Sequence, residues 1–120
     1  VYERQSAIIR KLADEGPGIF VGRCADYVLG DYTNCINTFI YAYKEDRIRR
    51  IMKLYKLDEK QAADKIRKTD RDRKNYYEAR TKRQWGGIDA NSMMFNASLL
   101  GIDGVVDALE AIYRKWEIRE

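Results

Sequence analysis

From Arg67 to Asn75 the chain runs RKTDRDRKN, without one hydrophobic side chain. Nothing in the run forbids a helix. A helix this polar has no apolar stripe to bury, however, so hydrophobic burial does not account for it. The residues just before it read as a helix start. Asp58 stands as N-cap with Gln61 three positions on, the spacing of a capping box, and Ala62, Ala63 and Ile66 supply a small apolar side. Between Arg67 and Arg83 there are eight cations and three acids, so the stretch carries +5 where the whole chain carries +4. The remainder is close to neutral, and the positive field is local.

Helical spacing sorts these charges into rows. Arg67, Arg71 and Lys74 fall on one side; Arg73, Tyr77 and Arg80 form a second row, with Ile66 one heptad earlier. A row of guanidinium groups grips phosphate bidentately, which suits a polyanion better than lysine does. Three readings stand open on these residues alone: a solvated helix laced with pairs such as Asp70–Lys74, a phosphate or nucleotide clamp, or a nucleic-acid surface.

The rest of the chain narrows the classes. Its 120 residues suffice for one domain with a core; a 45% apolar content is globular, and 35% charged residues with a single proline favour helix. No apolar run has membrane-spanning length, so no membrane partner is expected. The start, VYERQSAIIRK, lacks a signal-peptide core. Cys24 and Cys35 without any histidine make neither a metal site nor a Ser–His or Cys–His nucleophile. Reduced thiols and a cytoplasmic location are the expectation. A net charge of +4 is too mild to argue by itself for nucleic acid.

Taken in order, Tyr2 to Glu15 reads as an amphipathic helix with Ala7, Ile8, Leu12 and Ile9 as its stripe, stopped by Gly16-Pro17. Gly18 to Val21 is a short unbroken apolar run, the pattern of a doubly buried strand, ending in Gly22-Arg23. Cys24 to Leu29 is a brief helical turn. Ile36 to Tyr43 is the clearest strand, and Lys44 to Lys56 a helix burying Ile48, Ile51, Met52 and Tyr55. Ser92 to Asn96 is a weaker strand. Ser98 then caps a last helix to about Trp116, with Leu99, Ile102, Val105, Val106, Leu109 and Ile112 inside. Alternation of this kind predicts an α/β layer of about three parallel strands, with ligands beyond their carboxyl ends. The expected division is a core of residues 1–57 and 88–120 with a basic helical lid over 58–87.

GPGIFVGRCADYVL, FIYAYKEDRIRRIM, IRKTDRDRKNYY followed by TKRQWG, and FNASLLGIDG together resemble the cytidylate kinase-like family of P-loop nucleotide kinases. The resemblance covers nearly the whole chain in order. It implies a partial P-loop kinase-like parallel sheet flanked by helices with an inserted helical lid, and phosphoryl transfer from a nucleoside triphosphate to a nucleoside monophosphate such as cytidylate. On it, Lys68, Arg71 and Arg73 carry the catalytic charge of the lid. Arg23, Asp26, Asp70 and Tyr77 belong to the substrate side, with Arg23 matching the family's Gly-Arg motif. Asn96 and Ser98 lie near the nucleotide base. ATP and magnesium are the family's expected cofactors, although no motif in this chain binds them and no metal ligand is assigned.

The chain departs from the family by lacking a G-x-x-x-x-G-K-[ST] phosphate loop, and by Ser92-Met93 where Tyr-Asp is frequent. It therefore reads as the carboxyl-terminal part of such a kinase, carrying the lid and acceptor side and inactive alone. Nucleotides are the expected partners, together with self-association through an open sheet edge. Nucleic acid is not expected, and an RNA- or polyanion-binding module is the alternative function.

Overall fold

A computed structural model describes residues 1–119, with side chains through Trp116. The order is α1 (Tyr2–Glu15), α2 (Ala25–Val28), β1 (Thr38–Tyr41), α3 (Lys44–Tyr55), α4 (Glu59–Thr81), a 3-10 turn (Ile88–Ala90), β2 (Met93–Asn96) and α5 (Ala97–Arg119). The fold is α/β and mostly helical, and its described residues divide into two compact units.

The first unit joins Val1–Asn37 to Asp70–Ser92. Its core is Ile9 of α1 against Ala25, Val28 and Leu29, with Tyr2, Ala13, Phe20, Tyr32 and Cys35 packed around them. The buried row of α1 is thus Tyr2, Ile9 and Ala13, spaced for one helical face. The anticipated stripe of Ala7, Ile8 and Leu12 is exposed, and of the predicted residues only Ile9 is buried. The reason is the size of the cover: α2 is a single turn and screens one row of α1, not two.

Gly18–Val21 is not a strand. The segment has no ladder partner, Ile19 and Val21 are 94% and 88% exposed, and only Phe20 turns toward the core. An apolar run forms a strand only where another strand satisfies its backbone, and the described residues offer one such pairing, elsewhere.

That pairing lies in the second unit, which comprises Thr38–Thr69 and the chain from Met93 on. β1 and β2 run parallel with Thr38 opposite Met93 and Tyr41 opposite Asn96. The described residues therefore form a two-stranded sheet, where three strands were expected. α3 follows β1 and ends in a Schellman-type closure: Lys56 takes φ 55°, and the Leu57 amide donates to the Met52 carbonyl at 3.0 Å. Ile48, Ile51 and Met52 of α3 are half-buried. Tyr55, expected with them, is exposed, and the Lys65 ammonium lies 4.7 Å from its ring centroid.

α4 opens on the capping box that its sequence predicts. The Gln61 amide donates to Asp58 Oδ1 at 2.7 Å, and the Asp58 amide to Gln61 Oε1 at 3.1 Å. Ala62 behind it is fully buried. α5 departs from expectation twice. Its cap is Asn96, whose Oδ1 accepts the Ser98 amide at 3.0 Å, so Ser98 is not the capping residue. It also breaks at Gly101, whose φ 74°, ψ 164° is open essentially to glycine alone. The break takes Leu99 off the face of the later residues. Val105 becomes the buried centre, with Leu109 and Ile112 half-buried, while Leu99, Ile102 and Val106 are exposed. No described helix is long and apolar enough to cross a membrane.

Candidate functional site

Within the first unit, Arg23 stands on a tightly wound turn. Gly22, Arg23 and Cys24 have φ of 71°, 58° and 58°, three left-handed residues in succession. Glycine takes this conformation freely, but each of the other two pays about 1–2 kcal/mol for it. The turn persists because its surroundings fix it. The Ala25 amide donates to the Gly22 carbonyl at 3.2 Å, and the Tyr27 and Val28 amides converge on the Cys24 carbonyl at 3.0 and 2.9 Å. Cys24 itself is buried at the edge of the core, and burial followed by the Asp26 charge pushes its thiol up, away from reactivity. Arg23, by contrast, points its side chain to solvent. The sequence anticipated Arg23 at the carboxyl end of a strand; the structure puts it at the start of a left-handed turn leading into α2.

Asp26, in that same turn of helix, accepts a 2.6 Å hydrogen bond from the Tyr77 hydroxyl of α4. Of the expected site residues in this unit, these two are brought into direct contact. Burial, and then the bond to Asp26, hold the Tyr77 phenol up at about 12. The end of α4 is built around Tyr77. Its carbonyl receives the buried Thr81 hydroxyl at 2.8 Å, and Arg80 lies 3.7 Å from the Tyr76 ring centroid. Lys82 closes the helix in the left-handed region. Glu78 then accepts Lys74 Nζ at 2.8 Å and the Trp85 amide at 3.0 Å, and these bonds hold its carboxyl below the usual range. Trp85 is thereby fixed at the chain's return, as its place before two glycines suggests.

The row Arg73–Tyr77–Arg80 does not act as one row: Tyr77 is buried, while Arg73 is exposed to solvent. Arg71 is likewise exposed and Asp70 is half-buried, all in the first unit. Lys68 belongs to the last turn of α4 that falls in the second unit, and is exposed.

Asn96 and Ser98 sit in the second unit, where parallel strands end. The Asn96 side chain is engaged as the cap, and Ser98 Oγ accepts the Tyr43 amide at 2.8 Å. A hydrogen bond from Ser98, with the Arg49 ion pair adding to it, holds the Asp46 carboxyl below its ordinary value. Asp46 and Tyr43 are members of this strand-end cluster that the sequence reading missed. The signal available for Asp46 was a carboxylate in the first turn after a strand.

Two broad depressions of about 530 and 520 Å³ open on the surface. One is lined by Lys44, Glu45, Ile48, Glu59, Lys60 and Ala63, the other by Lys74, Glu78, Lys82, Arg83 and Gln84. Neither holds an anticipated site residue. Among the described residues no three His, Cys, Asp or Glu side chains gather into a metal-holding group.

The sequence model of the cytidylate kinase-like family matches residues 1–99. The fold is similar to the crystal structure of an uncharacterized protein from Eubacterium ventriosum ATCC 27560, with a TM-score of 0.91 and 28% identity over 95% of this chain. The chain spans 65% of that protein's length. No curated protein matches it. The chain belongs to the cytidylate kinase-like family.

Proposed function

We propose that this member of the cytidylate kinase-like family carries the acceptor side and the closing helix of a P-loop-type nucleotide kinase, one that moves a phosphoryl group from a nucleoside triphosphate to a cytidylate-like monophosphate. The observation that carries the reading is Arg23: a solvent-facing guanidinium held on a costly left-handed turn, in a unit that also presents Arg71 and Arg73 on an exposed helix. Strain of this kind gathers where a side chain must be aimed.

In this reading Arg23 holds the acceptor's phosphate bidentately. Lys68, Arg71 and Arg73 form the lid over residues 58–87 and stabilise charge on the transferring group. Asp70 spaces the lid cations. Asp26 and Tyr77 stand behind Arg23, and Asn96 and Ser98 fix the backbone on the base side. Phosphoryl transfer asks a protein chiefly for positioning and electrostatics, which suits a set rich in guanidinium groups and poor in general bases. The 120-residue chain is expected to bind without turnover, and its two unpaired thiols suit a cytoplasmic setting.

The test is calorimetric titration of this chain with CMP and with pyrophosphate at low salt, alongside an ADP-coupled assay. Arg23→Ala should abolish CMP binding. Paired Arg71→Ala and Arg73→Ala should abolish pyrophosphate binding and leave Tm nearly unchanged, since exposed charges contribute about 0–1 kcal/mol. The continuous exposed cations of α4 favour one competing reading, a polyanion surface. Absence of mononucleotide binding, with poly(U) bound on a steep salt slope, would establish it instead.

A further inference from the structure

We infer that the Tyr77–Asp26 hydrogen bond is a latch that holds the Gly22-Arg23-Cys24 turn in its left-handed form, making Tyr77 the positioning residue for the Arg23 guanidinium. The positioning half of this inference rests on the reading of Arg23 proposed above; the latch itself does not.

Two consecutive side-chain-bearing residues in the left-handed region survive only where their surroundings over-determine them. The Arg23 side chain faces solvent and contributes nothing to that constraint. The backbone bonds onto Gly22 and Cys24 are local and close over a single helical turn. Burial of Cys24 anchors one end of the turn. Asp26 anchors the other, through a 2.6 Å bond to a residue 51 positions away in sequence. A phenol donating to a carboxylate is among the stronger uncharged-to-charged contacts.

The donor is itself immobilised. Tyr77 is 9% exposed, its carbonyl is bonded by Thr81, and its phenol, raised to about 12 by burial and by Asp26, remains a donor throughout the neutral range. Arg83 also reaches the Tyr77 phenol, and Arg80 acts on Cys24, so the end of α4 touches the turn by charge as well as by the latch. Arg71 and Arg73 lie six and four residues before Tyr77 on the same helix. Any anion that needs the ordered turn for binding at Arg23 must, by reciprocity, order the end of the helix that carries those arginines.

The experiment is amide hydrogen exchange by NMR on the 120-residue chain and its Tyr77→Phe variant, with CMP titrated into each. Exchange at Ala25, Tyr27, Val28 and Leu29 should accelerate about tenfold or more while the β1 amides stay unchanged, and CMP affinity should fall about tenfold. Asp26→Ala should reproduce the acceleration, and the double variant should add nothing further, since both remove one bond. Asp26→Ala also decides the matter if Tyr77→Phe does not fold. Unchanged exchange at those amides overturns the latch, whatever CMP does. Faster exchange with undiminished CMP affinity overturns the positioning role. CMP binding that is absent from the wild-type chain, or that survives Arg23→Ala, overturns both the proposed function and the positioning role; exchange alone then decides the latch.

Discussion

Ser98 Oγ accepts the Tyr43 amide at 2.8 Å, two residues past Tyr41 and Asn96, the last register pair of the parallel ladder. A side chain continues the pairing where the strands have ended. Ser98→Ala should leave that amide unpaired and cost about 1 kcal/mol, a Tm loss of about 3–6 °C for a domain of this size. The same hydroxyl holds the Asp46 carboxyl below its ordinary 3.8. A depressed carboxylate stabilises the fold above its unfolded pKa and loses that contribution as pH falls through its folded one. The gap in Tm between wild type and Ser98→Ala should therefore be widest above pH 3.8 and shrink in stronger acid. A gap that stays constant through that range would show that Asp46 takes no part.

The junction of α3 and α4 offers a pair of opposite effects. Asp58→Ala removes the capping box and should destabilise by about 1 kcal/mol, with faster exchange in the first turn of α4. Lys56→Gly relieves a left-handed lysine on an exposed surface and should stabilise by about 0.5–1 kcal/mol after the added entropy of glycine. Urea denaturation with unchanged m-values checks both. Two changes of the same sign would contradict the backbone geometry at Lys56.

Tyr77 should be the late tyrosine among nine in an ultraviolet pH titration, ionising near 12 where an ordinary phenol does so at 10.0. A phenol whose folded pKa is raised contributes stability that is complete below the unfolded value and lost as pH rises through the folded one. Stability should accordingly fall between about pH 10 and 12, and Tyr77→Phe should flatten that fall. A Tyr77→Phe profile parallel to wild type would refute the assignment.

The sheet of β1 and β2 pairs along one edge only among the described residues, and Ile40 and Met94 are 52% and 40% exposed. Two-stranded sheets are marginal in water, and open edges recruit further strands. The 120-residue chain should self-associate on light scattering as concentration rises, and Ile40→Lys should suppress this. A wild-type monomer throughout the series would remove the case for an exposed edge.

Local rules carried most of what the sequence made legible. Asp58–Gln61 capping, the α3 span, the strand ending at Asn96 and the exposed cations of α4 all follow from neighbouring residues. The misreadings needed distant partners. Gly18–Val21 has a strand's composition but no strand beside it, and Ile8 has a core residue's chemistry but a single-turn helix for cover. The Tyr77–Asp26 contact spans two segments far apart in sequence, and periodicity placed Tyr77 beside Arg73, with no means of telling that one is buried and the other solvated. Two consecutive left-handed residues at Arg23 and Cys24 violate what side chains prefer, so no propensity argument arrives at them.

Gly101 divides what reads as one 23-residue helix into a single capped turn and a longer rod. Peptide dipoles add only while they remain aligned, so the long piece does not extend its partial positive charge to Asn96 and Ser98 at the strand end. That charge emerges after Gly101 instead, where Asp103 occupies the first turn and answers it. Asn96 and Ser98 thus lie beyond the dipole of the long piece and spend their side chains on the chain's own amides, whereas the chain's excess of positive charge lies on and just after α4.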